Sequence, residues 1–297
     1  MKNTSAQSKG KVIISGEHSV VYGQPALVGG LKLFREVVIR EPKKRQIAQS
    51  AIIENILKIF EAKYGVNVAN LEVLDLGKLP VGSGLGSSAA FAHAVFLSLL
   101  KHFDLHASKV ELFELVQESE KFCHGNPSGV DATAVVYGGL VEFIKGDGNN
   151  FINQIDNQDN VFTKSNFFLI DSGRPMETTR EMVEMVSVKI KADQALQLVI
   201  EKMGQVTRKL IDSVKLNGFN SEAIKENQRL LEELGVVGEK AKQIISQIEE
   251  IGAVAKITGA GGVLDGSGMI LAYSLDHAKI SDLIKKNNWK SYQIQIG

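Results

Sequence analysis

One stretch of the chain crowds small residues and hydroxyls in a way that suits an anion: Pro80-Val81-Gly82-Ser83-Gly84-Leu85-Gly86-Ser87-Ser88, running into the apolar segment 89–100. Alternating glycines let a backbone approach a ligand closely. Two hydroxyls at the opening of a helix sit where free N–H groups and the helix dipole favour negative charge. The spacing fits neither a Walker loop, which ends in Gly-Lys-Ser/Thr, nor the dinucleotide fingerprint, which places two residues before its last glycine. A turn that only caps a core helix through Ser87 or Ser88 is the competing reading.

A second piece of chemistry lies in 108–123. Projected at about 100° per residue, Glu111, Glu114 and Glu118 fall on one arc and Val110, Leu112, Phe113 and Val116 on the opposite one. Glu120 falls in the middle of the apolar arc and is predicted to face inward. An ionised carboxylate there needs a cation or strong donors, either a lysine in a core salt bridge or a Mg²⁺ shared with a hydroxyl of the glycine loop. Just beyond stands His124-Gly125-Asn126-Pro127-Ser128-Gly129-Val130-Asp131. Ser128 can cap a short helix that opens near Val130, placing Asp131 in a first turn where the dipole keeps a carboxylate ionised. An Asp so placed commonly serves only helix stability, and a histidine beside a turn is commonly just hydrogen-bonded.

The elements that must position these groups follow from hydrophobic periodicity. Short strands are predicted at 11–14, 20–22 and 26–28, a longer one at 31–39, an amphipathic helix at 47–64 and a strand at 71–76. The glycine loop then enters a helix over 88–103, and Ser108 with Glu111 three residues on has the spacing of a capping box for the next helix. Strands at 140–144 and 167–170 flank a polar excursion over 146–160. Long helices follow at 179–216, 221–234 and 239–250, then strands at 253–257 and 269–273, a helix at 279–286 and a strand at 292–296. The change of pattern near 170 divides the chain into 1–170 and 171–297.

Composition narrows the partners. A chain of 297 residues favours two domains. Lys plus Arg equals Asp plus Glu at 34 each, so no bulk field holds nucleic acid or an anionic membrane. The single cysteine, Cys123, excludes an internal disulfide and a thiolate metal cage, which suits a reducing cytoplasm. No apolar block follows Lys2 and Lys9, so no secretory signal is expected, and 89–100 falls short of the ~20 residues that span a bilayer.

Four stretches in order carry a resemblance: Gly10-Lys11-Val12-Ile13-Ile14-Ser15-Gly16-Glu17-His18-Ser19-Val20-Val21-Tyr22-Gly23, the loop 80–90, His124 to Asp131, and Lys256-Ile257-Thr258-Gly259-Ala260-Gly261-Gly262. They resemble the successive signatures of the galactokinase, homoserine kinase, mevalonate kinase and phosphomevalonate kinase (GHMP) superfamily, and within it those of the mevalonate kinases. The resemblance implies a two-domain α+β fold. Its N-terminal domain, 1–170, would be ribosomal-protein-like with a left-handed βαβ crossover, and its C-terminal domain, 171–297, ferredoxin-like, with ATP between them. It implies ATP and Mg²⁺ as cofactors, mevalonate as the small-molecule substrate, a cytoplasmic enzyme, and allows a homodimer. Carried onto this chain, Asp131 is the catalytic aspartate with Lys11 as its basic partner, Ser88 and Glu120 hold Mg²⁺, and Glu17 and His18 touch the substrate. Pro80, Gly82, Ser83, Gly84, Leu85, Gly86, Ser87, Ser88, Gly259 and Gly261 line the nucleotide. Another superfamily acceptor, a sugar or the 3-hydroxyl of mevalonate, and a non-catalytic sensor on the same fold are the alternatives. Two features depart from the family pattern. Gly262 is followed by Val263-Leu264-Asp265-Gly266 rather than further glycines, so Asp265 is expected to point away from phosphate, and the segment between the first two motifs is short.

Overall fold

A computed structural model of the chain describes residues 3–42, 48–77, 79–80, 84–155, 161–163 and 167–297. Its first two strands, β1 (Asn3–Ser15) and β2 (Pro25–Arg40), are far longer than the short runs predicted for them, and they pair antiparallel along most of their length. The first half of β1 alternates between exposed and buried residues. The second half is buried on both faces: Val12 and Ile14 join the main core, while Ile13 joins a second cluster with Val130 and Ala134. The segments expected at 26–28 and 31–39 are one strand because Gly29 and Gly30 do not turn the chain. Gly29 is required by close approach, since a Cβ there would stand 2.0 Å from Ile296 Cγ2. Residues 20–22, expected as a strand, belong to a 3₁₀ turn, Ser19–Tyr22.

The chain continues through α1 (Ala51–Tyr64), β3 (Glu72–Asp75), α2 (Ser87–Phe103), α3 (Lys109–His124), α4 (Val130–Tyr137), β4 (Leu140–Ile144) and β5 (Phe151–Ile155). The capping box at the start of α3 is present, with Ser108 and Glu111 each meeting the other's backbone N–H. At α4 the N-cap is Gly129 rather than Ser128, whose hydroxyl instead receives the Val130 N–H at 3.4 Å. β5 occupies part of the stretch expected to be irregular. The sheet runs β1-β2-β4-β5 with β3 beside β2. Because β1 occupies one edge of β2, β3 and β4 share the other edge; both run antiparallel to β2, so they run the same way. The helices α2, α3 and α4 join them as a βαβ unit, and α2 is apolar nearly all round because it is the buried centre of this half.

The second sheet contains β6 (Phe167–Asp171), β7 (Val254–Ile257), β8 (Met269–Tyr273) and β9 (Ser291–Ile294) in the order β7-β8-β6-β9, all antiparallel. Between β6 and β7 lie α5 (Thr179–Ala192), α6 (Gln194–Lys215), α7 (Ser221–Glu233) and α8 (Glu239–Glu250), and α9 (His277–Lys286) lies between β8 and β9. This is the β-α-β-β-α-β plan of a ferredoxin-like sheet, with its first helical layer enlarged. A boundary at 170 would cut β6, whose partners all belong to the second sheet. The single helix expected over 179–216 is two, because Asp193 adopts an extended conformation and caps the second through the Ala195 N–H. Among the described residues no helix is long and apolar enough to cross a membrane.

Candidate active site

The end of β1 and the start of α4 bring the first two predicted groups together. Lys11 is buried on β1, and its backbone N–H donates to the Leu85 carbonyl at 3.0 Å, which ties the strand to the end of the glycine loop. Its stem runs past Gly86, where a Cβ would stand 2.6 Å from Lys11 Cγ. Its Nζ lies 2.9 Å from Asp131 Oδ1 in the first turn of α4.

Glu120 faces inward as projected and is only 2% exposed. Its Oε1 is buried with no hydrogen-bond partner, the Ser88 hydroxyl lies close enough to favour its charged form, and its Oε2 lies 3.7 Å from His124 Nε2. Burial, and then the negative charge of Asp131, push the Glu120 carboxyl up to about 7, against the Ser88 bond and the Lys11 charge. The core lysine that would have neutralised it is not found among the described residues. An orphaned buried oxygen beside a hydroxyl and a second carboxylate is a hard-oxygen donor set, which fits Mg²⁺. His124 closes this corner, with Nε2 3.3 Å from Ser88 Oγ.

The first motif's other two residues border the same space as Lys11 and Asp131, and each is already engaged by the protein. Glu17 is sealed: one oxygen pairs with Lys256 Nζ on β7 and the other accepts from Asn227 Nδ2 at 3.2 Å. Both of its oxygens are thus engaged at the cavity wall. Burial pulls the Lys256 ammonium below its ordinary value, partly countered by Glu17. His18 Nε2 lies 3.0 Å from the Ala260 carbonyl, which only accepts, so the proton is on Nε2; Nδ1 is a bare lone pair, buried and without a partner. Burial also holds His18 below the usual imidazole range, and its backbone is strained at φ 55°.

The third motif is anchored to the first. The Thr258 hydroxyl accepts the Ile13 N–H at 3.0 Å and donates to the Ile13 carbonyl at 3.1 Å. Gly84 then meets Gly259: a Cβ on Gly84, at φ 77°, would stand 2.6 Å from the Thr258 carbonyl oxygen. Lys11, Glu17, His18, Gly84, Glu120, Asp131 and Gly259 line one cavity of about 540 Å³. The remaining expected nucleotide residues lie elsewhere or are engaged. Leu85 is core, and Gly261 packs on the Val236 carbonyl. The Ser87 hydroxyl accepts from Arg35, which also pairs with Asp75 and lies over the Phe91 ring. Pro80 is half-buried outside the cavity wall, Gly82 and Ser83 fall outside the described residues, and Asp265 is exposed and does not line the cavity.

Sequence reasoning missed Lys256, Asn227, Arg35 and Arg180, the last of which also lines the cavity. Asn227 carried a usable signal, since it lies in the apolar stripe of α7 with Ala223, Ile224, Leu230 and Leu231, as Glu120 does in α3.

Residues 51–139 match the family model described as the GHMP kinases N terminal domain. The chain is 30% identical over 274 residues to a mevalonate kinase of Archaeoglobus fulgidus, with 86% of this chain and 89% of the relative covered. The chain belongs to the mevalonate kinase family of the GHMP kinases. Its fold is similar to the crystal structure of the Methanococcus jannaschii mevalonate kinase, with a TM-score of 0.81 at 19% identity over 100% of this chain and 99% of that one. It is also similar to the L. major mevalonate kinase in complex with R-mevalonate, with a TM-score of 0.80 at 20% identity over 99% and 96% of the two chains.

Proposed function

We propose that this chain transfers the γ-phosphoryl group of ATP to the primary 5-hydroxyl of mevalonate, in the cytoplasm, with Mg²⁺ held by Ser88 and Glu120. The observation that carries this reading is the Lys11–Asp131 pair opening on the same cavity as the orphaned Glu120 carboxylate. Phosphoryl transfer is mostly positioning and charge neutralisation. Asp131 orients the acceptor hydroxyl and takes its proton late in the transfer. Lys11 keeps Asp131 ionised and offsets charge on the equatorial oxygens. Gly84 and Gly86, with the free N–H groups at the start of α2, cradle the phosphates, and Gly259 closes the loop from the other sheet. Mg²⁺ bound at Ser88 and Glu120 supplies neutralisation of the phosphate oxygens. We place the division between the two units within 156–166, between the last strand of one sheet and the first of the other.

ADP release measured with mevalonate, galactose and homoserine tests the assignment. Turnover is expected with mevalonate, and phosphorus NMR of the product is expected to show a 5-phosphate. Turnover on galactose or homoserine with none on mevalonate would overturn the acceptor, and no turnover with any acceptor would favour a sensor.

A further inference from the structure

The third motif departs from the family pattern at Val263-Leu264-Asp265-Gly266, and the proposed reaction gives that stretch no task. Its backbone is nonetheless held at both feet and at its tip. At one foot the Gly262 N–H donates to the Val236 carbonyl at 3.1 Å, and the Ser267 hydroxyl donates to the Gly262 carbonyl at 2.8 Å. At the other the Ser267 N–H donates to the Ser172 hydroxyl at 3.0 Å, and the Gly268 N–H to the Gly173 carbonyl at 3.0 Å. Gly266 lies against the same turn, where a Cβ would stand 2.1 Å from the Gly173 carbonyl oxygen. The loop 262–268 is thus laced to the connection 172–177, which leads from β6 into α5.

One side chain holds the tip. Glu177 Oε1 accepts the Val263 N–H and the Leu264 N–H, each at 3.0 Å. Two successive amides converging on one oxygen form a backbone nest that favours an anion, and here a carboxylate of the chain itself fills it. Glu177 Oε2 is buried with no hydrogen-bond partner among the described residues, and a Cβ on Gly262 would stand 3.2 Å from it.

Two walls of the cavity meet at this segment. The Ala260 carbonyl engages His18 Nε2 at 3.0 Å, while Glu177 stands two residues before Thr179, which lines the cavity with Val183 from the next turn of α5. Within α5 only Met182 and Val186 are buried, so packing alone holds the helix loosely. Its own Thr178–Glu181 capping box keeps it helical without Glu177.

We infer that Glu177 is a positioning residue for the acceptor: by tying the start of α5 to the third-motif loop, it sets the width of the pocket in which the acceptor lies. The inference rests on the proposed reading that this cavity receives mevalonate. The nucleotide end of the same motif is fixed separately, by the two Thr258–Ile13 bonds and the approach of Gly84, so the effect falls on the acceptor.

The test sets Glu177→Ala, Glu177→Asp and Glu177→Gln against the wild type with two acceptors, mevalonate and its homologue carrying ethyl in place of the 3-methyl group. Gln keeps the reach and an accepting oxygen, whereas Asp keeps the charge on a shorter stem. Glu177→Ala is expected to raise the KM for mevalonate by roughly 5–30-fold and to leave the KM for ATP within about twofold. Its preference for mevalonate over the ethyl homologue, as a ratio of kcat/KM values, should fall by about tenfold, because only a closely set wall excludes one methylene. Glu177→Asp should resemble Glu177→Ala, and Glu177→Gln should recover most of the loss. Hydrogen exchange followed by mass spectrometry reads the tie without substrate: peptides covering 261–266 and 178–184 should exchange faster together in Glu177→Ala and stay slow in Glu177→Gln. An unchanged KM for mevalonate would overturn the positioning role, and so would equal weakening of both acceptors with the preference intact. Recovery by Asp but not by Gln would overturn it too, since charge rather than the tie would then be at work. A KM for ATP that rises alongside would place Glu177 in the general scaffold. If the wild type uses neither acceptor but phosphorylates another alcohol, the substrate assignment fails, while the exchange rates and the KM for that alcohol still decide the role of Glu177.

Discussion

Lys11–Asp131 and Lys256–Glu17 are the same chemical pair in two settings. In the first, the Asp131 side chain is 35% exposed and opens on the cavity; in the second, the two side chains are 0% and 1% exposed. A pair with one wet end can exchange water for a substrate hydroxyl and return, because the carboxylate never loses all its solvation. A pair with no wet end cannot change partners without leaving a bare charge in the protein interior. On the proposed function, access alone separates reactive machinery from frame, although both lysines stand in the quoted motifs and both partners are acidic.

The largest effects should come from the open pair. Asp131→Asn and Lys11→Met are each expected to lower kcat by roughly 10²–10⁴-fold. The double variant should lose far less than the product of the two, as for groups that act as one unit. Steady-state rates that multiply independently would break the first half of the comparison. For the sealed pair the loss should fall on stability. Lys256→Met is expected to cost about 3–5 kcal/mol by urea denaturation, because Glu17 is then buried unpaired. Adding Glu17→Leu should return much of that loss.

Glu120 sharpens the contrast, since it is sealed like Glu17 and yet lacks a lysine. Glu120→Gln is expected to raise the Mg²⁺ concentration for half-maximal rate about tenfold or more, the scale set by losing a charged ligand. In the wild type, with the carboxyl at about 7, apparent Mg²⁺ affinity should rise with pH up to about 7 and level off above it, because the metal must displace the proton. Calorimetric titration with an unreactive ATP analogue at several pH values reads this directly. An unchanged Mg²⁺ dependence in Glu120→Gln would remove Glu120 from the metal site.

The smallest effect belongs to a buried group with no charge partner at all. His93 on α2 has Nδ1 3.0 Å from the Ser8 hydroxyl, and burial holds its pKa down to about 4, below the ordinary 6.5. As pH falls below 6.5 the unfolded chain binds a proton that the folded chain refuses. Stability contributed by neutral His93 is therefore present above 6.5 and is lost as pH drops toward 4, by at most about 3 kcal/mol. His93→Gln should flatten that limb of a denaturation midpoint-against-pH curve.

Much of the site was legible wherever chemistry and periodicity disagreed locally. Glu120 showed itself as a charge on an apolar arc, and the capping box fixed the start of the helix that carries it. The glycine loop followed by a helix was equally plain. What the residue pattern hid were partnerships between distant segments. Lys256 stood in a quoted motif, but nothing in 256–262 says that its ammonium reaches Glu17, 239 residues away. Arg180 gave no signal, because an arginine in the first turns of an amphipathic helix is ordinary until the cavity beside it is known. In the fold, the break expected between 28 and 31 is absent, because the space that Gly29 and Gly30 leave belongs to Ile296, Lys9 and Gly138.

The two hydrogen bonds between Thr258 and Ile13 close a loop of 245 residues. Chains emerge from the ribosome N-terminus first, so β1, the glycine loop and Asp131 are all made long before β7. Until Lys256 is made, Glu17 has no cation to be buried against, and packing it away would strand a carboxylate. The wall of the cavity next to His18 therefore cannot close on a growing chain. The Glu17–Lys256 pair therefore couples this wall of the cavity to the assembly of the second sheet.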